Sequence, residues 1–191
     1  MRSTALRLCS SATLIASVVG ASGLAGPRVL RAQAMPDTTY VVSDREPGPL
    51  ELVAVVVSSR WCAPCNRPEY KTAIRKMKVL VARQAAAKSE SFAAIGLGLD
   101  WNTDTAWRYF ASLGQFDELV LGRNWRNTGV ITYVWRDSAT TPGIPQVIIL
   151  RRHVTESQTR LAVSPDSVLT RIAGAKQIVD WVARGAPVPG A

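Results

Sequence analysis

Residues 50–65, LELVAVVVSSRWCAPC, decide the fold of this chain. The run from Leu50 to Ser58 is almost continuously apolar, which is the pattern of a strand covered on both faces. A helical pattern follows directly, from Cys62 to about Lys88. The stretch therefore predicts a buried strand that leads straight into a helix, with two cysteines at the junction.

The two cysteines at this junction have the spacing of a dithiol that can exchange disulfides. We expect Cys62 at the helix N-terminus, where unpaired N–H groups and the helix dipole favour the thiolate. Cys65 would then lie one turn inside the same helix, within reach of Cys62. A nucleophilic thiolate with a second, resolving thiol beside it is what thiol–disulfide exchange requires.

The first 34 residues have the composition of a secretory signal peptide. Arg2 and Arg7 precede an apolar run over residues 12–25, and Ala32-Gln33-Ala34 matches a cleavage pattern. The apolar run is shorter than the roughly 20 residues of a membrane-spanning helix. We therefore expect a periplasmic or secreted protein. The alternative is that the segment stays uncleaved and anchors the chain to a membrane, facing the periplasm.

Removal of residues 1–34 changes the charge and the cysteine count. It takes away four of the 23 basic residues and none of the 14 acidic ones, which leaves a net charge of +5. No nucleic-acid motif accompanies this charge, so we expect no nucleic-acid partner. Of the three cysteines, Cys62 and Cys65 remain, so neither has another disulfide partner within the chain.

The same residues argue against a metal or a cofactor. A tetrahedral zinc site needs four ligands, and the two cysteines with the lone His153 are too few. Covalent haem attachment needs a histidine directly after the second cysteine, where this chain has Asn66. We expect neither a metal nor another cofactor.

The remaining sequence predicts one domain in which strands and helices alternate. A length of 191 residues suits a single core. The predicted segments are a lead-in over residues 35–49 with a short strand at 40–42, a domain over 50–185, and a mobile tail over 186–191. Within the domain we expect a strand at 92–99, a helix from 103 to 113, an insertion at about 115–141 containing a strand at 130–135, a strand at 146–150, a turn at 151–158, an antiparallel strand at 159–163, and a helix that starts at Ser164.

Two groups of side chains on these elements have an ordinary structural interpretation. The basic residues of the first helix predict a solvated face, with a docking surface for an acidic partner as the alternative. We expect the tryptophans to pack in the core and in the insertion. The basic residues are Lys71, Arg75, Lys78 and Arg83, and the tryptophans are Trp101, Trp107, Trp125, Trp135 and Trp181.

Trp61-Cys62-Ala63-Pro64-Cys65 after an apolar strand resembles the thioredoxin superfamily, and more closely its exported cytochrome-maturation (TlpA-like) branch. The resemblance covers residues 50–184 apart from the insertion. It implies an α/β fold with a mixed central sheet flanked by helices. It also implies a cis peptide bond between Ile144 and Pro145, next to the cysteines and ahead of the third core strand.

The resemblance further implies the roles of the site residues. Cys62 is the expected nucleophile, and Cys65 is the expected resolving thiol; together they form the redox-active disulfide. The residues expected to contact a client are Trp61, Pro64, Ile144 and Pro145.

Three positions depart from the family pattern. Val56 occupies the place of a buried acid that assists proton transfer, and Pro68 occupies the place of a glutamate. Tyr70 stands where the family has a proline that kinks the helix. Glu69 is the candidate to take over proton transfer, and a solvated helix carboxylate is the alternative.

These observations predict an exported, monomeric thiol–disulfide oxidoreductase. Ala63-Pro64 places no charge or imidazole between the cysteines, which resembles the reducing members of the superfamily. Its partners would be a client protein with a disulfide or thiol and a redox protein that supplies or accepts electrons. The alternative is a non-catalytic binding module in which the Cys62–Cys65 disulfide is structural and residues 115–141 hold a partner.

Overall fold

The structure is a computed structural model that describes residues 39–44, 46–136, 142–157, 160–163 and 166–190. The predicted signal peptide lies outside the described residues. Among the helices in these ranges, none is both long enough and apolar enough to cross a membrane.

The described strands form one mixed sheet around the strand that the sequence predicts at residues 50–58. This strand, β1, pairs in parallel with β2 and antiparallel with β4, so it lies in the centre of the sheet. β3 continues the sheet beyond β2, β6 pairs with the first half of β4, and β5 pairs with its second half. The strands are β1 Leu50–Ser58, β2 Ser91–Gly98, β3 Glu118–Val120, β4 Gln146–Ser157, β5 Arg160–Val163 and β6 Ser167–Ala173.

Helices cover both faces of this sheet. The longest, α1 Pro68–Ala87, packs with α4 Ala175–Ala183 on one face. The same face receives α2 Thr103–Ala111, whose N-cap is Asn102. The opposite face is covered by α3 Thr128–Val130, which continues into a π-helical turn, Ile131–Trp135.

The position of β1 explains its unbroken apolar sequence. Successive side chains of a strand point to opposite faces. Leu52, Ala54 and Val56 pack in the core beneath α1, whereas Val53, Val55 and Val57 pack beneath the turn Ile131–Trp135. With two parallel core strands, antiparallel β4 and β6, and helices on both faces, the architecture is thioredoxin-like, which confirms the predicted α/β class.

Three predicted segments differ from the structure, because packing or strand pairing with residues distant in sequence determines their conformation. Residues 130–135 are helical rather than a strand, because Val130 and Val134, one turn apart, are both buried against the sheet. No helix is present over the described residues 166–173: Asp166 belongs to no helix or strand, Ser167–Ala173 form β6, and α4 starts after Gly174. Likewise, β4 continues through the predicted turn at residues 151–157.

Three local expectations also differ from the structure. Residues 40–42 are not a strand, although the Tyr40 hydroxyl donates to Asp117 at 2.6 Å. The tail packs against the domain over residues 186–190, where Ala186 and Val188 are buried, rather than being mobile. Lys78 does not belong to a solvated face; it is buried, and its ammonium donates to two backbone carbonyls.

Candidate active site

The predicted dithiol is a disulfide at the end of β1. The Sγ atoms of Cys62 and Cys65 are bonded, at 2.03 Å. The two residues differ in exposure, because Cys62 is 8% exposed and Cys65 is fully buried. Cys62 is therefore the more exposed of the two cysteines, which is the asymmetry expected of a nucleophile and a resolving thiol.

The cysteines do not share the first turn of the long helix, contrary to the sequence prediction. They lie in a separate 3₁₀ turn, Ala63–Asn66, and α1 starts at Pro68. Arg67, which lies between the 3₁₀ turn and α1, has an extended backbone, with φ −63° and ψ 136°. The reason is Pro68, since a proline ring disfavours the helical conformation of the residue before it.

A local donor at Cys62 takes the place of the expected long helix. Cys62 is the N-cap of the 3₁₀ turn, and the backbone N–H of Cys65 donates to its Sγ at 3.2 Å. A hydrogen bond to sulfur favours the charged form of a thiol. The Asn66 side chain closes the turn further by donating to the carbonyls of Arg60 and Cys62, at 2.7 and 3.0 Å.

Asp100, which the sequence analysis missed, holds the segment before the cysteines. It follows β2 and is buried. Its carboxylate accepts from the Ser59 hydroxyl at 3.1 Å and from the Arg60 N–H at 3.3 Å. Because β1 and β2 are parallel neighbours, a polar residue directly after β2 lies at the same sheet edge as the cysteines, and this could have indicated Asp100.

Three buried hydroxyl groups lie beneath Cys65, and we refer to Ser58, Tyr70 and Tyr109 as the hydroxyl cluster. The hydroxyl oxygens of Ser58 and Tyr109 are 2.7 Å apart, and Tyr70 donates to Ser58 at 3.4 Å. The Tyr109 hydroxyl also donates to the backbone carbonyl of Cys65 at 3.0 Å. These residues come from β1, α1 and α2, so no local sequence pattern predicts that they lie together.

The hydroxyl cluster carries no charge at neutral pH. Burial raises the pKa of Tyr109 to about 12 and raises the pKa of Tyr70 further above its ordinary value. Val56, at the position where the resemblance implies an acid, is buried and apolar. The side chain that donates to the Cys65 carbonyl, Tyr109, is therefore a neutral hydroxyl group rather than a carboxylic acid.

The structure places the other predicted site residues as follows. The Ile144–Pro145 bond is cis, as the resemblance implies. Val57 pairs with Gln146, so Pro145 lies at the next position, beside the end of β1 that leads to the cysteines. Pro64 is exposed in the 3₁₀ turn, and Glu69 is exposed in the first turn of α1, where it lines a cleft with Arg67 and Lys176.

Trp61, Trp101 and Trp107 have exposed indole rings. Trp61 is 73% exposed, with the Arg60 guanidinium 4.2 Å from its ring centre. Trp101, which follows Asp100, is 69% exposed, and Trp107 on α2 is also exposed. Trp101 and Trp107 are thus not core residues, contrary to the prediction. Trp125 and Trp135 do pack against each other.

Within the described residues, no group of three or more histidine, cysteine, aspartate or glutamate side chains is placed to hold a metal ion.

Comparisons with known proteins add two solved structures of low similarity. No family model matches the chain, and no curated protein matches it. The chain is similar to a protein described as a thiol:disulfide interchange protein DsbE from Chlorobium tepidum, with 14% identity, a TM-score of 0.39, and coverage of 72% of this chain and 81% of the other. It is also similar to MTB dsbF in its mixed oxidized and reduced forms, with 13% identity, a TM-score of 0.29, and coverage of 71% and 81%. These values are too low to transfer an activity to this chain.

Proposed function

We propose that this protein is an exported thiol–disulfide oxidoreductase that acts on protein disulfides through Cys62 and Cys65. The observation that carries the proposal is the unequal exposure of two bonded cysteines, 8% for Cys62 and 0% for Cys65. Export would depend on the predicted signal peptide at residues 1–34.

In the reducing direction, the Cys62 thiolate attacks one sulfur of a client disulfide. The client S–S bond breaks, its second sulfur leaves as a thiolate and takes up a proton, and a mixed disulfide joins Cys62 to the client. The Cys65 thiolate, having given up its proton, then attacks Cys62 Sγ and releases the other client sulfur. Two electrons have passed to the client, and the Cys62–Cys65 disulfide has formed. A redox partner must then restore the dithiol.

The residues at the cysteine edge are suited to hold an extended client segment. Trp61 and Pro64 are exposed beside Cys62, whereas Ile144 is half-buried and Pro145 is buried at the neighbouring end of β4. We infer that these four residues form the client contact. The Arg60 guanidinium stacked on Trp61 adds a cation to the apolar surface.

Glu69 retains its predicted role in proton transfer as a separate proposal. Its exposure in the first turn of α1 makes it accessible to water and buffer. A Glu69→Gln variant that resolves mixed disulfides as fast as the wild type would contradict this role.

The test of the proposed function is a trap for the mixed disulfide. Cys65→Ser should accumulate client proteins bonded to Cys62, because the resolving thiol is missing. The adducts should disappear on reduction, and Cys62→Ser, which keeps the buried thiol, should capture none. Equal capture by both variants, or capture by neither, would contradict the proposal. Non-covalent binding that survives in Cys62→Ser/Cys65→Ser would instead support the binding-module alternative.

A further inference from the structure

The hydroxyl cluster has a fixed direction of hydrogen bonding. A hydroxyl group has one hydrogen, and the Tyr109 hydroxyl donates it to the Cys65 carbonyl, which can only accept. In the 2.7 Å contact between Tyr109 and Ser58, the donor must therefore be Ser58. Tyr70 in turn donates to Ser58. The chain of donation runs from Tyr70 through Ser58 and Tyr109 to Cys65.

We propose that Tyr109 is a positioning residue for the resolving cysteine: its hydroxyl fixes the main chain of Cys65 so that the Cys65 sulfur faces Cys62. This inference rests on the proposed function and names a residue of the same site. Tyr109 acts through the backbone carbonyl of Cys65, which accepts a hydrogen bond from its hydroxyl.

The structure of the turn explains why Cys65 needs such support. The extended Arg67 separates the 3₁₀ turn from α1, so the long helix does not hold Cys65 in place. The N–H of Cys65 is engaged with Cys62 Sγ, and its carbonyl is engaged with Tyr109 on α2. Both backbone polar groups of Cys65 are thereby fixed, one from the turn itself and one from a helix across the site.

The surroundings of Tyr109 hold its ring in place and keep its hydroxyl group protonated. Its ring is buried in edge contact with Phe110, and Lys71 lies above the ring with its ammonium 5.5 Å from the ring centre. The raised pKa of Tyr109, about 12, keeps the proton on its oxygen throughout the pH range in which thiols exchange.

Loss of this hydroxyl should weaken ring closure between Cys65 and Cys62. We expect Tyr109→Phe to lower the equilibrium constant for forming the Cys62–Cys65 disulfide three- to tenfold, a rise in reduction potential of about 15 to 30 mV. The resolution of a mixed disulfide should slow by a similar factor, because the same approach of Cys65 to Cys62 is required.

Tyr70→Phe is the matched control. It also deletes a buried tyrosine hydroxyl bonded to Ser58, but that hydroxyl makes no hydrogen bond to Cys65 among those described. Both potentials are measured by equilibration of the purified protein with reduced and oxidised glutathione. The lifetime of the glutathione adduct on Cys62 gives the resolution rate.

The inference would be supported if Tyr109→Phe shifts the reduction potential and slows resolution of the mixed disulfide. Tyr70→Phe should change the equilibrium constant and the resolution rate by less than twofold. Equal shifts in the two variants, or no shift in Tyr109→Phe, would overturn it. If Tyr109→Phe does not fold, Ser58→Ala gives the same test, because it removes the donor to Tyr109 but keeps its ring. For Ser58→Ala we expect the equilibrium constant for forming the Cys62–Cys65 disulfide to fall two- to threefold. An unchanged equilibrium constant would overturn the inference.

The two proposals fail in different ways. A wild-type disulfide that does not exchange with glutathione would contradict the proposed function itself. A wild-type disulfide that exchanges normally, with both tyrosine variants behaving alike, would contradict only the role of Tyr109.

Discussion

At the cysteine edge, the two cysteines differ in exposure, and the main chain around them is held by hydrogen bonds from single residues. Cys62 is the more exposed of the two cysteines, while the carbonyl of the buried Cys65 accepts a hydrogen bond from Tyr109 on α2, whose hydroxyl also contacts Ser58 on β1. Asp100 fixes the main chain of Arg60 just ahead of the pair. The sequence identified the two cysteines because their spacing is a local pattern. Asp100 and Tyr109 were missed because their contacts join residues about 40 positions apart.

Lys78 shows how burial can make stability depend on pH. Its ammonium lies 3.9 Å from the centre of the Phe116 ring and donates to the carbonyl of Leu113 at 3.0 Å. Burial lowers the pKa of Lys78 to about 7, against the attraction of Asp117. In the unfolded chain the pKa of a lysine is about 10.4. Between these values the unfolded state binds a proton that the folded state does not.

We therefore expect the free energy of unfolding to rise with pH from about 7 to 10 through Lys78. The slope should be on the order of 1 kcal/mol per pH unit, and this stability should be lost as the pH falls towards 7. Lys78→Met should remove the slope, since methionine does not titrate. Denaturant unfolding of both proteins at pH 7, 8 and 9 measures the difference. Identical slopes in the two proteins would show that Lys78 is charged in the folded state.

At the scale of elements, Pro68 separates the 3₁₀ turn that carries the cysteines from the helix that follows. The residue before a proline avoids the helical conformation, and Arg67 does so here. Pro68 itself fits the first position of α1, where no intrahelical partner is needed for an N–H. The cysteine turn is therefore a small independent unit between β1 and α1.

Pro68→Ala should join the 3₁₀ turn to α1. Arg67 would be free to become helical, and Cys62 would then lie at the N-terminus of a long helix, whose dipole favours the thiolate. We expect a several-fold faster alkylation of reduced Cys62 by iodoacetamide at pH 6, with a small gain in helical circular dichroism. Pro47→Ala, which changes an exposed proline before β1, should leave both measurements unchanged. An unchanged alkylation rate in Pro68→Ala would mean that the break at Arg67 has another cause.

The elements also show where sequence patterns suffice. β1, β2, α1 beyond Pro68 and α2 follow from apolar runs, helical spacing and an Asn N-cap, all of which are local signals. The strand β6 was predicted as a helix because its pairing with β4 is distant in sequence. Residues 130–135 are rich in β-branched and aromatic side chains, yet the need to cover the second face of the sheet makes them helical.

At the scale of the whole molecule, the sheet brings the site residues to one edge. The carboxyl ends of β1 and β2 carry the cysteine turn and Asp100, and β4 begins beside them with Pro145. The core beneath this edge is continuous from β1 through α1 to α4, so the turn rests on a packed support. Fold alone does not establish activity, because one architecture can serve many functions. The activity must therefore be tested on the disulfide.

The reduction potential of the Cys62–Cys65 pair is the most direct test of the account. Equilibration of the chain without residues 1–34 against glutathione or dithiothreitol gives this value. A working dithiol should have a potential between about −270 and −120 mV, and we predict a value in the lower half of that range because the turn resembles those of reducing proteins. A potential below about −300 mV would identify a structural disulfide and would contradict the assignment of this protein as an oxidoreductase.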